Sequence, residues 1–574
     1  MSPSYAQPTT PAEIAAASAQ ISDEAYRALE DIVGAAHVSR DAAVLDGYAF
    51  QYLAELIRPE HSHFMPRPAA VALPATTEEV QAVVLAANRY GFKVKPTGTG
   101  WYMFNAVVKD DDPTVQLDLR RMDAIVEIDE DNMYAVVEPY VIHAQLHAEA
   151  LKRGLSINIP GSGCSTSIVA SACAYAGQGP YTYFMGGNAE NVLGMEWVTP
   201  EGEIVRTGSL GSGDGWFCSE GPGPSVRGIC RGAIGSRGGL GVYTKCAIKL
   251  GPNYGPREWD VGGTLPAYRL PVADTCRVYT IAVPTWDAWA DAYYEIYDNE
   301  IGYIFHRQFN LAGADLDPAF WLMYNDHTKT LSDVPELAAR ADVRELTEEM
   351  RVSFQLVLAG RSLADIELQD RILDAILADV GGHKVARFCA QDMAEFTNVY
   401  LQRLGHKHIN FVWAGGYIGS WMQFGTPDWV KGYIPVAAAG LERDAADGLL
   451  VQCGGDAMMG SGSGIPGGGG MGLEQFVSYD PDDQASTHAA LVHMEDAVTD
   501  AASIGYPPGK EWQYLQMGWS DERFEQVMAA APQPDVFRFQ RRIKTAFDPN
   551  NVGDRMYPTL PLGPAPDGTR PGGE

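Results

Sequence analysis

Apolar positions along the chain fall into two alternating periods, and the switches between them mark the elements. The run from Ser22 to Val38, ISDEAYRALEDIVGAAHV, keeps apolar residues on one helical face, with Ser22 and Asp23 as N-terminal caps and Gly34 near its end. An aromatic and proline-rich stretch through His61 and Pro68 follows. A short strand then ends at Pro74, Thr76 or Thr77 caps a helix through Asn88, Gly91 stops it, and Lys93 to Lys95 resumes a strand. That is one β-α-β unit. Strand patterns recur at TVQLDL, AIVEID and YAVVEP, a helix at Ile142 to Arg153, and two more strands, GMEWVTP and EIVRTG, flank a hairpin-like turn at Glu201-Gly202. The Gly/Ser tract from Gly208 to Pro224 reads as a surface loop.

Past Asn253 the texture changes to longer helical stretches, such as Ala288 to Tyr297 and Asp365 to Asp379, between aromatic-rich strands. A domain boundary is placed near Pro256. The glycine tract from Gly454 to Gly472 is expected to form no element interior, because glycine loses the most backbone entropy on ordering, and to act as a mobile loop or lid. No internal repeat is apparent.

Length and charge narrow the class. A chain of 574 residues, 46% hydrophobic and 20% charged, is globular and large enough for two or three domains. Its net charge of -31 repels phosphate backbones and anionic lipid heads, which argues against nucleic-acid and membrane-surface partners. The eight cysteines form no C-x-x-C pair, and a reducing cytoplasm fits them. Neither a basic-then-apolar secretory leader nor a membrane span is visible.

The first chemical motif is Lys95-Pro96-Thr97-Gly98-Thr99-Gly100-Trp101, between strands. Its glycines let backbone N–H groups converge on a diphosphate, although it lacks the G-x-G-x-x-G spacing of a Rossmann turn, and alone such a turn is more often a plain connection. The motif continues through Val136-Val137-Glu138-Pro139, Leu146-His147, Gly154-Leu155 and Ile159-Pro160-Gly161-Ser162-Gly163. Further on come Asn191-Val192-Leu193-Gly194, Pro200 to Glu203, Arg206-Thr207-Gly208 and Gly235 to Thr244. Phe547-Asp548-Pro549-Asn550-Asn551-Val552 stands near the far end.

In this order the motifs resemble the FAD-binding domain of the vanillyl-alcohol oxidase/p-cresol methylhydroxylase family, over residues 70 to 252 and 530 to 560. The resemblance implies an α+β fold: an FAD-binding domain of two subdomains over residues 1–255 with its core at about 65–252, an inserted cap over 256–504, and a C-terminal return over 505–574. It implies that the turn Pro96, Thr97, Gly98, Thr99, Gly100, Trp101 and Tyr102 cradles the pyrophosphate. It places Pro160, Gly161, Ser162, Gly163, Cys164 and Ser167 beside the flavin, with Ile168, Ser171, Ala172 and Gly177 continuing that wall. Val242 is set at the adenine end, and Glu138 with Pro139 shapes the neighbouring turn.

Three departures from the family matter. Trp101 and Tyr102 follow Gly100, so the covalent histidyl linkage of many members is excluded, and FAD is expected to be held non-covalently. Cys164, in Gly163-Cys164-Ser165-Thr166, resembles the cysteine of a second, thioether linkage, against the plainer reading of a small buried cysteine. Gly161 and Ser162 stand where phenol-oxidising members place a carboxylate. His406 and His408 only faintly echo the metal site of the hydroxy-acid branch, and no metal is assigned.

Substrate groups come from the middle of the chain. Gly302 to Phe309 alternates so as to send Tyr303, Phe305 and Arg307 to one face, either a clamp for an aromatic or carboxylate-bearing substrate or cap core. Tyr506, Lys510 and Tyr514 fall where relatives carry a phenolate clamp, with Lys510 as anion partner. The catalytic expectations are therefore Arg307, Tyr303, Lys510 and Tyr506. The implied function is FAD-dependent oxidation of an alcohol, phenol or hydroxy acid, aromatic substrates favoured, with oxygen or an acceptor protein taking the electrons and a homo-oligomer compatible. The alternatives are a 2-hydroxy-acid dehydrogenase, a non-redox flavin synthase and a cofactor-free binding protein.

Overall fold

The computed structural model describes residues 18–51, 53–57, 63–100, 105–108, 111–161, 163–175, 177–208, 215, 225–229, 235–263, 268–307, 340–402, 416–452, 460–462, 471–505, 522, 526 and 534–557. Helix α1 (Asp23–Val33) begins where the Ser22 hydroxyl accepts the Ala25 amide at 3.1 Å. The apolar pattern runs on to Val38, but the helix stops at Gly34, whose φ of 86° turns the chain into a 3-10 turn and strand β1 (Val38–Ser39). Helix α2 (Ala42–Ala49) is capped by Asp41.

Strand β2 (Ala70–Ala72), helix α3 (Thr77–Tyr90) and strand β3 (Lys93–Thr97) make the expected β-α-β unit. Thr76 is the cap, accepting the Glu79 amide, and Gly91 ends the helix in the left-handed conformation. Both strands run parallel to β4 (Thr114–Asp118), giving the sheet order β1-β2-β4-β3. Leu29 and Val33 of α1 and Val80, Val83 and Val84 of α3 bury against Val94, Val115 and Leu117 of this sheet.

The second sheet is antiparallel and is built from β5 (Ile125–Asp129), β6 (Tyr134–Val137), β8 (Val192–Val198), β9 (Ile204–Arg206) and β10 (Val242–Lys249), in the order β5-β6-β10-β8-β9. Between β6 and β8 lie helix α4 (His143–Lys152) and strand β7 (Leu155–Ser156), the latter paired with β11 (Gly251–Pro252). Glu196 of β8 ties this sheet to the start of α3, accepting from Thr77 Oγ1 at 2.6 Å and Lys245 Nζ at 2.8 Å. Burial alone would raise its carboxyl, but Lys245 and Thr77 pull it down to about 2.

Among the described residues the third sheet has eight strands: β12 (Cys276–Ala282), β13 (Ile304–Arg307), β14 (Ser353–Ala359), β15 (His383–Lys384), β16 (Gly416–Gly425), β17 (Leu450–Gln452), β18 (Gly460–Gly462) and β19 (Met471–Tyr479). Helices α5 (Trp286–Asp298), α6 (Leu363–Val380), α7 (Pro427–Asp444) and α8 (Gln484–Ser503) accompany it. The glycine tract corrects the expectation of a featureless loop: residues 460–462 pair with both β13 and β19, and the tract's last residues enter β19. Neighbouring strands supply the order that glycine lacks by itself. Helix α9 (Pro534–Phe547), not anticipated from the pattern, precedes the return segment. Among the described residues, no helix is long and apolar enough to cross a membrane.

Candidate functional site

The first glycine turn leaves the end of β3. Thr97 is buried, its hydroxyl meets the Gln116 amide, and Gln116 Nε2 also donates to Asn105 O at 2.8 Å, so both ends of the turn hang from one side chain of β4. Pro96 sits between Thr97 and Lys95, whose buried ammonium pairs with Asp554 at 2.7 Å. At Gly98 the turn meets the second candidate segment. A Cβ there would lie 3.1 Å from Ser167 Cβ and 3.4 Å from Pro139 O, a cradle open only to glycine without a shift of its neighbours. Thr99 and Gly100, the latter at φ +67°, complete the described part. Trp101 and Tyr102 lie outside the described residues, as does Ser162.

The second segment is tied down along its length. Gly161 N donates to Gln178 O at 2.6 Å and Gly163 N to Pro160 O at 2.9 Å. Ser167 Oγ donates to Pro139 O at 2.5 Å and accepts the Ala170 amide at 3.0 Å, so the Glu138-Pro139 corner holds this segment as well as turning the chain. Residues Ala170–Ala174 make one wide π-type turn, closed by Tyr175 N on Ala170 O. Cys164, Ile168 and Ala172 face the core of the second sheet. At Gly177 a Cβ would stand 2.9 Å from Asn188 Nδ2, 3.0 Å from Ser171 Cβ and 3.2 Å from Pro160 Cβ. The structure thus brings Pro160, Ser171 and Gly177 to one point, and Gly98 and Ser167 to another.

Neither Pro96–Gly100 nor Pro160–Ser171 contains a carboxylate or an ammonium. In a chain of charge -31 this leaves backbone and hydroxyl groups to meet a diphosphate, which fits an anionic dinucleotide. At Gly98 and Gly177 the absent side chain lets these segments pack closely on one another.

Val242 pairs with Val198 and buries its side chain in the core of the first sheet. The C-terminal return reaches the same region. Lys544 Nζ, fully buried, donates to Gly239 O at 2.7 Å and to Asp548 at 2.5 Å, while Asp548 accepts the Val552 and Gly553 amides at 2.7 and 2.8 Å.

Two buried side chains were missed by reading the sequence. His143 opens α4 with Nδ1 2.8 Å from Thr166 O and Nε2 3.1 Å from Asn188 Nδ2. Asn188 in turn donates to Ser171 Oγ at 3.0 Å and accepts from Asn158 at 3.1 Å. Burial lowers the imidazoles of His143 and His147 to about 4. No motif marks these contacts. The available signal was a histidine at i and i+4 on the helix face that also carries the buried Leu146, Ala150 and Leu151.

The catalytic expectations fare differently. Tyr303 is buried, its hydroxyl donates to Pro252 O at 2.7 Å, and its ring meets Tyr181 and Tyr254 edge-on. Burial, with Tyr181 beside it, pushes its phenol well above the ordinary value. Phe305 stacks on Phe354 in the core around Trp289 and Tyr293, so these two residues occupy core and not an open clamp face. Arg307 ends β13 opposite Gly460. Tyr506 and Lys510, like Tyr514 and the histidines 406 and 408, lie outside the described residues. Among the described residues no cluster of His, Cys, Asp or Glu could hold a metal ion.

One sheet with parallel strands at its centre, one antiparallel sheet and a third, larger sheet make up the described fold, and the two glycine-containing segments touch at Gly98 and Ser167. Residues 68–208 match the model of the FAD binding domain. The fold is that of p-cresol methylhydroxylase in its substrate-bound crystal structure, with a TM-score of 0.70 at 19% identity over 94% of this chain and 97% of that one. The matched part, residues 68–208, is thus a domain of the FAD-binding type, and its cofactor is FAD.

In sequence it is 29% identical over 252 residues to 1'-carboxy-chondrochloren decarboxylase of Chondromyces crocatus, covering 42% of each chain. It is 31% identical over 222 residues to an uncharacterized FAD-linked oxidoreductase of Mycobacterium tuberculosis, covering 39% of this chain and 44% of that one. The matched part thus spans about two-fifths of these curated relatives.

Proposed function

We propose that the protein is an FAD-dependent oxidoreductase acting on an alcohol, phenol or hydroxy acid, with FAD lying against the two glycine-rich segments. The observation that carries this reading is the match of residues 68–208 to the FAD binding domain, and it is supported by the close approach of Gly98 to Ser167 and of Gly177 to Ser171, Asn188 and Pro160, where an added Cβ would require its neighbours to shift. In this reading the amides of residues 97–100 bind the pyrophosphate, and the short side chains of 160–171 leave room for the ring and ribityl tail.

A bound flavin supplies a hydride acceptor at N5. The chain supplies position and exclusion of water: Ser167 fixes the inner wall, the return segment braces Gly239, and the aromatic core around Tyr303 holds the third sheet rigid. The substrate C–H bond breaks with its electron pair, its O–H proton leaves to solvent or a base, and oxygen or an acceptor protein takes the two electrons. Arg307, Tyr506 and Lys510 remain the proposed substrate groups. Aromatic substrates are the favoured class within this reading.

The experiment is an anaerobic titration of the purified protein. One FAD per chain and bleaching of its visible band by a member of a panel of aromatic alcohols, phenols and 2-hydroxy acids is expected. A colourless protein that takes up no added FAD overturns the reading. An FAD-loaded protein bleached by no class overturns its redox part.

A further inference from the structure

We propose that Gln116 is a positioning residue of the first glycine turn, one that makes the Thr97 hydroxyl a hydrogen-bond donor reserved for an anionic oxygen. In the flavin reading above, on which this rests, that oxygen belongs to the pyrophosphate of FAD. Thr97 is the last residue of β3, and residues 98–100 of the turn follow it directly. Strands β3 and β4 run parallel, with Lys95 opposite Gln116 and Thr97 opposite Asp118. Gln116 is fully buried, and its Nε2 donates to Asn105 O at 2.8 Å and to Thr97 Oγ1. One amide thus touches the chain on both sides of the turn.

The partners fix where each hydrogen goes. A carbonyl can only accept, so the Gln116 atom that faces Asn105 O is the nitrogen, and the same nitrogen faces Thr97. Its two hydrogens are spent on these two oxygens. The Thr97 hydroxyl therefore accepts from Gln116, and its own hydrogen points elsewhere. It does not return to the amide, because among the described residues no donor reaches the buried Gln116 Oε1. Nor does the carboxylate opposite take it: Asp118 is committed to Tyr48 Oη at 2.5 Å and to the Arg120 guanidinium at 2.6 and 2.9 Å. Thr166, Ser167 and Ser171 are the other buried hydroxyls among the described residues of the two glycine segments. Each of them gives its hydrogen to a carbonyl, Thr166 to Gly163 O at 2.8 Å, Ser167 to Pro139 O at 2.5 Å and Ser171 to Ile168 O at 3.1 Å. Thr97 is the buried hydroxyl whose hydrogen is not committed. A phosphate oxygen only accepts, so a donor held in this sense suits an anion, and its bond to one is charge-assisted.

Three variants of the full chain test the role, read by the FAD dissociation constant from flavin fluorescence and, separately, by the melting temperature of the FAD-free protein. Thr97→Val removes the hydroxyl, Thr97→Ser keeps it, and Gln116→Glu replaces the amide donor by a carboxylate that accepts the Thr97 hydrogen and so reverses the sense of the bond. Thr97→Val is expected to raise the dissociation constant about tenfold or more, and Thr97→Ser to stay within about threefold of the parent. Gln116→Glu should weaken FAD at least as much as Thr97→Val, although the hydroxyl is still present. If Thr97→Val does not fold, the double variant Thr97→Val with Gln116→Leu, which removes both members of the pair, carries the same expectation. A Thr97→Val protein that melts earlier yet binds FAD within about twofold of the parent makes the pair merely structural and overturns the inference. Equal losses in Thr97→Val and Thr97→Ser, or parent-like FAD binding in Gln116→Glu, overturn it too. Parent protein that takes up no FAD sinks the flavin reading itself, so the two failures are distinguishable.

Discussion

His143 and His147 sit one turn apart on α4, and both are held neutral by burial. An unfolded chain takes a proton on such imidazoles near 6.5, whereas the folded one takes it near 4. Between those values the unfolded state binds more protons, so this contribution is fully present above about 6.5 and is lost as pH falls toward about 4. His147→Phe keeps a ring edge against Trp259 and removes one of the two groups. Its stability, measured by urea unfolding from pH 7.5 to 5, should fall less steeply than the parent's; parallel curves would contradict the assignment. Gly177 is a second single-residue test. Gly177→Ala places a methyl 2.9 Å from Asn188 Nδ2, and FAD affinity should drop about tenfold or more, whereas Gly47→Ala, with open space around it, should leave it unchanged. Gly177 and Gly98 stand out in the sequence as small residues, and the structure closes each against its neighbours. His143 does not, since its partner Asn188 is 45 positions away and neither residue advertises the contact.

Helix α9 shows what an element contributes beyond its own turns. Lys544 and Asp548 are a buried i,i+4 pair, and they tie the helix to Gly239 and to the amides that follow it. Lys544→Met would leave the Asp548 carboxylate buried without its cation, at a cost of about 3 kcal/mol or more in unfolding free energy. The double variant with Asp548→Asn should lose less than the two single losses added, because no lone charge then remains. Elements governed by local rules were read correctly from sequence: Thr76 and Gly91 bound α3 by capping, and Gly202 at φ 88° turns β8 into β9. Where order comes from distant partners the reading stopped. Residues 460–462 form a strand with β13 and β19 on either side, pairings that no local pattern announces.

At the scale of the whole molecule, the N-terminal arm joins the first glycine turn to the third sheet. Gln51 Oε1 accepts the Ala106 amide at 2.9 Å, next to the end of the glycine turn. A few residues on, the buried Glu55 carboxylate accepts Tyr479 Oη at 2.5 Å with one oxygen and faces His63 Nδ1 at 3.1 Å with the other. Tyr479 ends β19, so one side chain spans 424 positions of sequence. The Glu55 hydrogen bond raises the His63 imidazole, and Asp482 adds to the effect. A raised folded value means that this contribution is present below the unfolded value and is lost as pH climbs through the folded one. Tyr479→Phe removes only the hydroxyl, and Glu55 then keeps one partner in place of two. A loss of about 1–3 kcal/mol is expected, and since the bond couples two regions, hydrogen exchange should accelerate both in residues 53–57 and in β19. Acceleration in β19 alone would mean that the arm is held by apolar packing of Leu53, Leu56 and Met65 and that Glu55 does not couple the two.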